Sequence, residues 1–131
     1  MKCAACGLIY VSNFGETSYA GEKYFAFDKD YVRRWDEFCA LFEPLLDKIR
    51  GFKRSGALLD VGSGIGTLLH VASTKGYATK GVEISDWASA YARNKRGLDV
   101  RTGTLEEAGF QAASFDVVVV NHVLEPVLSQ R

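Results

Sequence analysis

Three glycines at alternate positions, Gly62, Gly64 and Gly66, follow an apolar run that passes through Asp60 in the stretch ALLDVGSGIGTLL. Glycine loses more backbone freedom on folding than any other residue. A cluster therefore implies a turn that other residues cannot make, or a close approach that a Cβ would block. Between a strand and a helix, such a turn lets the backbone lie against a ligand while the helix N-terminus offers unpaired N–H groups. Glu83 ends the next apolar run, GVEI, where a carboxylate can accept two hydrogen bonds from ribose hydroxyls. Together these residues read as a site for an adenosine-containing cofactor. The spacing is G-x-G-x-G and not the G-x-G-x-x-G that seats a dinucleotide pyrophosphate, which disfavours a nicotinamide-dependent oxidoreductase.

Other reactive side chains form weaker patterns. Cys3 and Cys6 make a C-x-x-C that suits half of a tetrahedral zinc site, but Cys39, His70 and His122 supply no second close pair. No metal is expected on this basis, and Cys3 and Cys6 stand as a half-site. His122 follows a strand and is the candidate general base, with a plain polar strand-end residue as the alternative. Trp87 and Tyr91, one helical turn apart, read as packing rather than an aromatic cage. Trp35, Phe38 and Phe42 read as core or interface.

The elements that must position these residues are legible as changes of period. Val32, Trp35, Phe38, Phe42, Leu45 and Ile49 recur at three- and four-residue steps, predicting a leading helix over 29–50. Pro44 should kink it or start a second helix, and Gly51 should close it. From Ser55 the chain alternates: strand ALLDV, helix GTLLHVASTKG, strand YATKGVEI, helix SDWASAYARNKRG, strand LDVRTG and strand FDVVVVN. Ser85 is the expected N-cap of the second of these helices and Gly97 its stop. Strands alternating with helices imply right-handed parallel crossovers and an α/β three-layer, Rossmann-like sandwich with a mostly parallel sheet. The four consecutive valines imply burial on both faces. Residues 1–27 read as an irregular N-terminal segment with a hairpin strand at LIYVS, and 28–131 as the α/β domain.

Bulk properties set the outer limits. The chain has 131 residues, enough for one domain with a core, and its 47% hydrophobic and 24% charged content is that of a globular protein. Sixteen basic residues balance sixteen acidic ones, so no net field draws it to nucleic acid or to an anionic membrane. No apolar run approaches the roughly 18 residues of a membrane span, and no charged-then-apolar leader opens the chain. A cytoplasmic location is the expectation. An odd number of cysteines without a leader argues against a disulfide framework.

LLDVGSGIG, GVEIS and FDVVVVNHVLEPV, in that order and at these intervals, resemble the class I S-adenosylmethionine-dependent methyltransferases over about residues 55–128. CAACGLIYVS, with Tyr24 and Phe25, further resembles a subgroup carrying an N-terminal zinc ribbon, many of whose members methylate sugars or other small molecules. The resemblance implies S-adenosyl-L-methionine as cofactor and a small-molecule methyl acceptor. It implies that Gly62, Ser63, Gly64 and Gly66 pass beneath the methionine and ribose portions, with Asp60 holding that loop or facing the amino group through water. Glu83 would take the ribose hydroxyls and Ile84 would pack on the adenine. Thr104 and Leu105 stand where relatives place Asp and a small apolar residue beside the adenine. Asn121 and His122 would lie near the sulfonium. Relatives often read EH where this chain has Glu125-Pro126.

The family sheet has seven strands in the order 3-2-1-4-5-7-6, and four are expected here, in the order 3-2-1-4. The chain therefore reads as an incomplete domain or a fragment, with strand 4 an unpaired apolar edge that invites self-association. Two functional classes follow: a methyltransferase, or its cofactor-binding half, and a non-catalytic module that binds cofactor or a partner.

Overall fold

The structure, a computed structural model, describes residues 29–121. The expected N-terminal segment, with its hairpin strand and the Cys3–Cys6 pair, lies outside the described residues, as do His122 and Pro126. After a helical turn at 29–33 come α1 (Trp35–Phe52), β1 (Gly56–Val61), α2 (Thr67–Thr74), β2 (Tyr77–Glu83), α3 (Asp86–Arg96), β3 (Val100–Thr102) and β4 (Val117–Val120). Among these residues no helix is long and apolar enough to cross a membrane.

The four strands form one parallel sheet in the order β3-β2-β1-β4, the order the family resemblance implies. Both crossovers step the same way from β1, so right-handedness puts α2 and α3 on the same face. Helix α1 packs against α2 on that side and sends Leu46 into a core with Leu58, Leu69, Ala72, Ala92 and Val100. A second cluster joins Trp35, Ile65 and Ala88. The Arg96 guanidinium lies 3.7 Å from the Trp35 ring centroid, a cation–π contact that ties the end of α3 to the start of α1.

Helix α1 departs from expectation. It runs through Pro44 and past Gly51 to Phe52, where the Lys53 N–H bonds the Ile49 carbonyl at 2.9 Å. A proline removes one helical hydrogen bond, but this turn is held from outside. Lys75, at the end of α2, reaches Glu43 at 2.5 Å and Asp47 at 3.1 Å, and Leu46 is fully buried beside them.

The valine run also differs. Val117 and Val119 turn toward the helix-side core, whereas Val118 is 54% exposed and Val120 is 40% exposed. Among the described residues β4 has β1 as its one strand neighbour, so burial on both faces does not follow from the apolar run. Elsewhere on the opposite face, Arg101 stacks on Phe110, which meets Phe115 edge-on at 5.1 Å.

Asp116 fixes the register of β4 on β1. Its Oδ2 accepts the Ala57 N–H at 2.9 Å, its Oδ1 pairs with Lys53 at 3.1 Å, and its own N–H bonds the Ala57 carbonyl. The Ala57 N–H first, then Lys53, holds this carboxyl below its ordinary value. A depressed carboxylate adds stability above the unfolded pKa, and that stability disappears as pH falls through the folded value. Asp116→Ala is expected to lower the melting temperature at pH 7 and to flatten the acid limb of a melting-temperature profile.

Candidate cofactor site

The site begins where β1 ends. Gly62, Gly64 and Gly66 all have positive φ, at 76°, 53° and 88°, a region closed to most L-residues and open to glycine. The Gly62 and Ser63 N–H groups both bond the Val82 carbonyl, at 2.8 and 3.1 Å, folding the loop back over β2. Ile65 anchors the loop from below in the Trp35 cluster. Loop 62–66 is thus fixed by backbone bonds on one side and by a buried side chain on the other.

The glycines do different work. A Cβ at Gly64 would meet nothing within 4 Å, so bare backbone faces open space there. A Cβ at Gly66 would collide with Leu98 and press on Ala92, so this glycine allows α3 and its C-terminal turn to approach the start of α2. Gly64→Ala is expected to cost about 1 kcal/mol of stability from backbone strain and to act chiefly on ligand affinity. Gly66→Ala combines the same strain with overpacking, roughly 2–4 kcal/mol in all, and should show as a large drop in the urea midpoint.

Glu83 faces this loop. The residue is 7% exposed; Oε2 accepts the Gly64 N–H at 2.7 Å and Oε1 accepts the Ser85 N–H at 2.9 Å. One side chain therefore ties the glycine turn to the entry of α3, whose N-cap Ser85 accepts the Ala88 N–H at 3.2 Å. Each carboxylate oxygen can accept more than one hydrogen bond, so both retain capacity for a further donor.

Asp60, near the end of β1, is 4% exposed, and its carboxyl has no hydrogen-bond partner among the described residues. Burial first, and the charge of Glu83 second, push its carboxyl up to about 8. Ser63 is buried with its hydroxyl unpartnered, against β2, where a Cβ on Gly81 would fall 2.7 Å from Ser63 Oγ. Gly81 carries a further signal; a glycine inside a strand marks close approach, and here both Ser63 of the glycine loop and Leu69 of α2 approach it.

Farther along the sheet edge, Ile84 is 61% exposed and Leu105 is 44% exposed. Thr104 is already engaged. Its N–H bonds Glu107 at 2.8 Å and its hydroxyl accepts the Glu107 N–H at 3.2 Å, a reciprocal capping box. The T-L-E-E pattern signals that box in the sequence. Asn121 is exposed just past β4. The structure brings Asp60, Gly62, Ser63, Gly64 and Glu83 together around one turn, with Gly66 behind it and Ile84 alongside. Among the described residues no group of three His, Cys, Asp or Glu side chains is arranged to hold a metal.

A family profile described as "Methyltransferase domain" matches residues 29–131, most of the chain. The chain belongs to the methyltransferase domain family. S-adenosylmethionine is the cofactor that goes with that assignment. Solved structures share the fold of this methyltransferase domain. One is a proposed S-adenosyl-L-methionine-dependent methyltransferase from Methanococcus maripaludis, with TM-score 0.63 and 16% identity over 83% of this chain and 55% of that one. A second is a Pyrococcus horikoshii OT3 protein, with TM-score 0.63 and 23% identity over 76% of this chain and 47% of that one. A third is the S-adenosylmethionine-bound amino pentose methyltransferase of Micromonospora echinaspora, with TM-score 0.55 and 25% identity over 82% of this chain and 44% of that one. The methyltransferase domain thus spans about half the length of the solved structures it matches. Comparison with curated proteins finds no match.

Proposed function

We propose that this methyltransferase domain seats S-adenosylmethionine across Gly62–Gly64, and that the protein transfers its methyl group to a small-molecule acceptor, a sugar being the leading class. The observation that carries this reading is the Glu83 carboxylate. It is fixed by two N–H donors beside the bare backbone of Gly64 and keeps acceptor capacity for two ribose hydroxyls. Ile84 and Leu105 supply exposed apolar surface for a purine ring. Asp60 supplies a buried carboxyl for the ammonium of the methionyl end. Helix α2 starts without a side-chain cap, so its first-turn N–H groups suit the methionyl carboxylate. Asn121 and His122 follow β4 and are the residues proposed nearest the acceptor.

The cofactor supplies an activated methyl group, so the protein's task is alignment of acceptor, methyl and sulfur. A base is needed only where the acceptor arrives as a protonated alcohol, and His122 is the residue proposed for it. The sugar class is supported by the amino pentose methyltransferase among the matching structures. Equal numbers of basic and acidic residues favour a small molecule over nucleic acid.

Calorimetric titration of the chain with S-adenosylmethionine, S-adenosylhomocysteine and NAD tests the cofactor. Binding of the first two and not the third is expected; the reverse would refute the proposal. Release of S-adenosylhomocysteine with a panel of amino and hydroxy sugars then tests transfer. Cofactor binding without turnover on any acceptor would make the chain a binding module.

A further inference from the structure

Two carboxyl groups end adjacent strands beneath the glycine loop, and no cation accompanies them. Asp60 and Glu83 are 4% and 7% exposed, and no ion pair among the described residues involves either. Their hydrogen bonding is unequal. Glu83 accepts one N–H on each oxygen, the arrangement of an ionised carboxylate. Asp60 accepts none, and two buried like charges on neighbouring strands are costly. Among the described residues no cation lies in the surroundings of Asp60. Of the titratable groups, Glu83 on β2 is the one whose charge acts on it. On β4 the registered residue is Val119, and on β2 it is Gly81. The loop contributes Ser63, whose hydroxyl lies against Gly81, and α2 opens with Thr67, Leu68 and Leu69.

We infer that Asp60 carries a proton in the cofactor-free protein and gives it up to solvent when the cationic methionyl end of S-adenosylmethionine enters, so that cofactor binding and release of one proton are coupled. This rests on the proposed cofactor site. The balance is simple: the O–H bond of Asp60 breaks, its proton passes to water or buffer, and the carboxylate remains to face the ligand's positive charge. A ligand lacking that charge, adenosine itself, gives no reason for the proton to leave. The coupling also sets a direction. Below the pKa of the free carboxyl, affinity includes the cost of removing the proton, and this cost shrinks by up to a factor of roughly ten for each pH unit gained.

The test is titration of the chain with S-adenosylmethionine and with adenosine in buffers of different ionisation enthalpy. A window from about pH 5.5 to about pH 7 keeps the ligand ammonium charged. Expected are proton release approaching one per S-adenosylmethionine bound, affinity rising roughly tenfold across one pH unit, and no release with adenosine. In Asp60→Asn both the release and the pH slope should vanish. Infrared difference spectra give an independent readout: a protonated-carboxyl carbonyl band should be lost on cofactor addition to the wild type and be absent from the variant. Tight, pH-independent binding without proton release would overturn the coupling and leave the cofactor site standing. Binding of NAD in place of S-adenosylmethionine across the whole range would overturn both.

Discussion

Glu83→Gln is expected to weaken S-adenosylmethionine binding by roughly 100-fold or more and to lower the melting temperature of the free protein as well. The two effects share one cause. Gly64 and Ser85 both present N–H donors to the carboxylate, and an amide has only one oxygen to answer them. The glutamine nitrogen must then face an N–H, leaving a partly buried donor without a partner at a cost of about 1 kcal/mol or more. On the ligand side, two hydrogen bonds to a charged acceptor at about 1.5–3 kcal/mol each are weakened or lost, which sets the scale of the affinity change. Thermal melting and calorimetry of the same preparation measure both. A variant that melts lower but binds S-adenosylmethionine as tightly as the wild type would confine Glu83 to a structural role.

Asp60→Asn should stabilise the cofactor-free protein at pH 7, against the usual outcome of changing a buried polar residue. The folded carboxyl is pushed up to about 8 by burial and by Glu83, well above its ordinary value of 3.8. Between those two values the folded state binds more protons than the unfolded state, so stability falls as pH rises. The wild type should therefore lose on the order of 1 kcal/mol per pH unit from about pH 5 to about pH 8. Asparagine is neutral throughout and escapes that loss. The expected advantage of the variant is about 2–4 kcal/mol at pH 7, shrinking to little near pH 4. Urea unfolding at several pH values measures it. Parallel pH profiles for the two proteins would show that Asp60 is ionised in the folded state.

What the sequence discloses about this molecule divides along a physical line. Features decided by a few neighbouring residues are legible. Ser85 caps α3 and Gly97 ends it in a left-handed conformation, as their types and positions predict. The alternation of strand and helix gives a parallel sheet with right-handed crossovers, and the β3-β2-β1-β4 order is the one the methyltransferase resemblance implies. Features decided across the fold are not legible. Pro44 and Gly51 carry local stop signals, yet Lys75 and the burial of Leu46 keep α1 intact around them. Four valines look like a central strand, but their burial depends on what lies beside β4.

The candidate site shows the same division. The glycine triplet and Glu83 stand out as residue types at a spacing. That Glu83 grips the Gly64 N–H, nineteen positions away, is a tertiary fact. Gly66 belongs to the triplet by sequence, while its surroundings give it a packing task against Leu98. The state of Asp60 depends on an adjacent strand end and on the lack of a donor, and neither is written in its own neighbourhood.

A crystal structure of the chain with S-adenosylhomocysteine is the most direct measurement of the central claim. The account predicts both ribose hydroxyls within hydrogen-bond distance of Glu83, the sugar resting on the backbone at Gly62–Gly64, and the Gly64 and Ser85 N–H bonds retained. A ribose bound away from Glu83, with the space above Gly64 left to solvent, would contradict it.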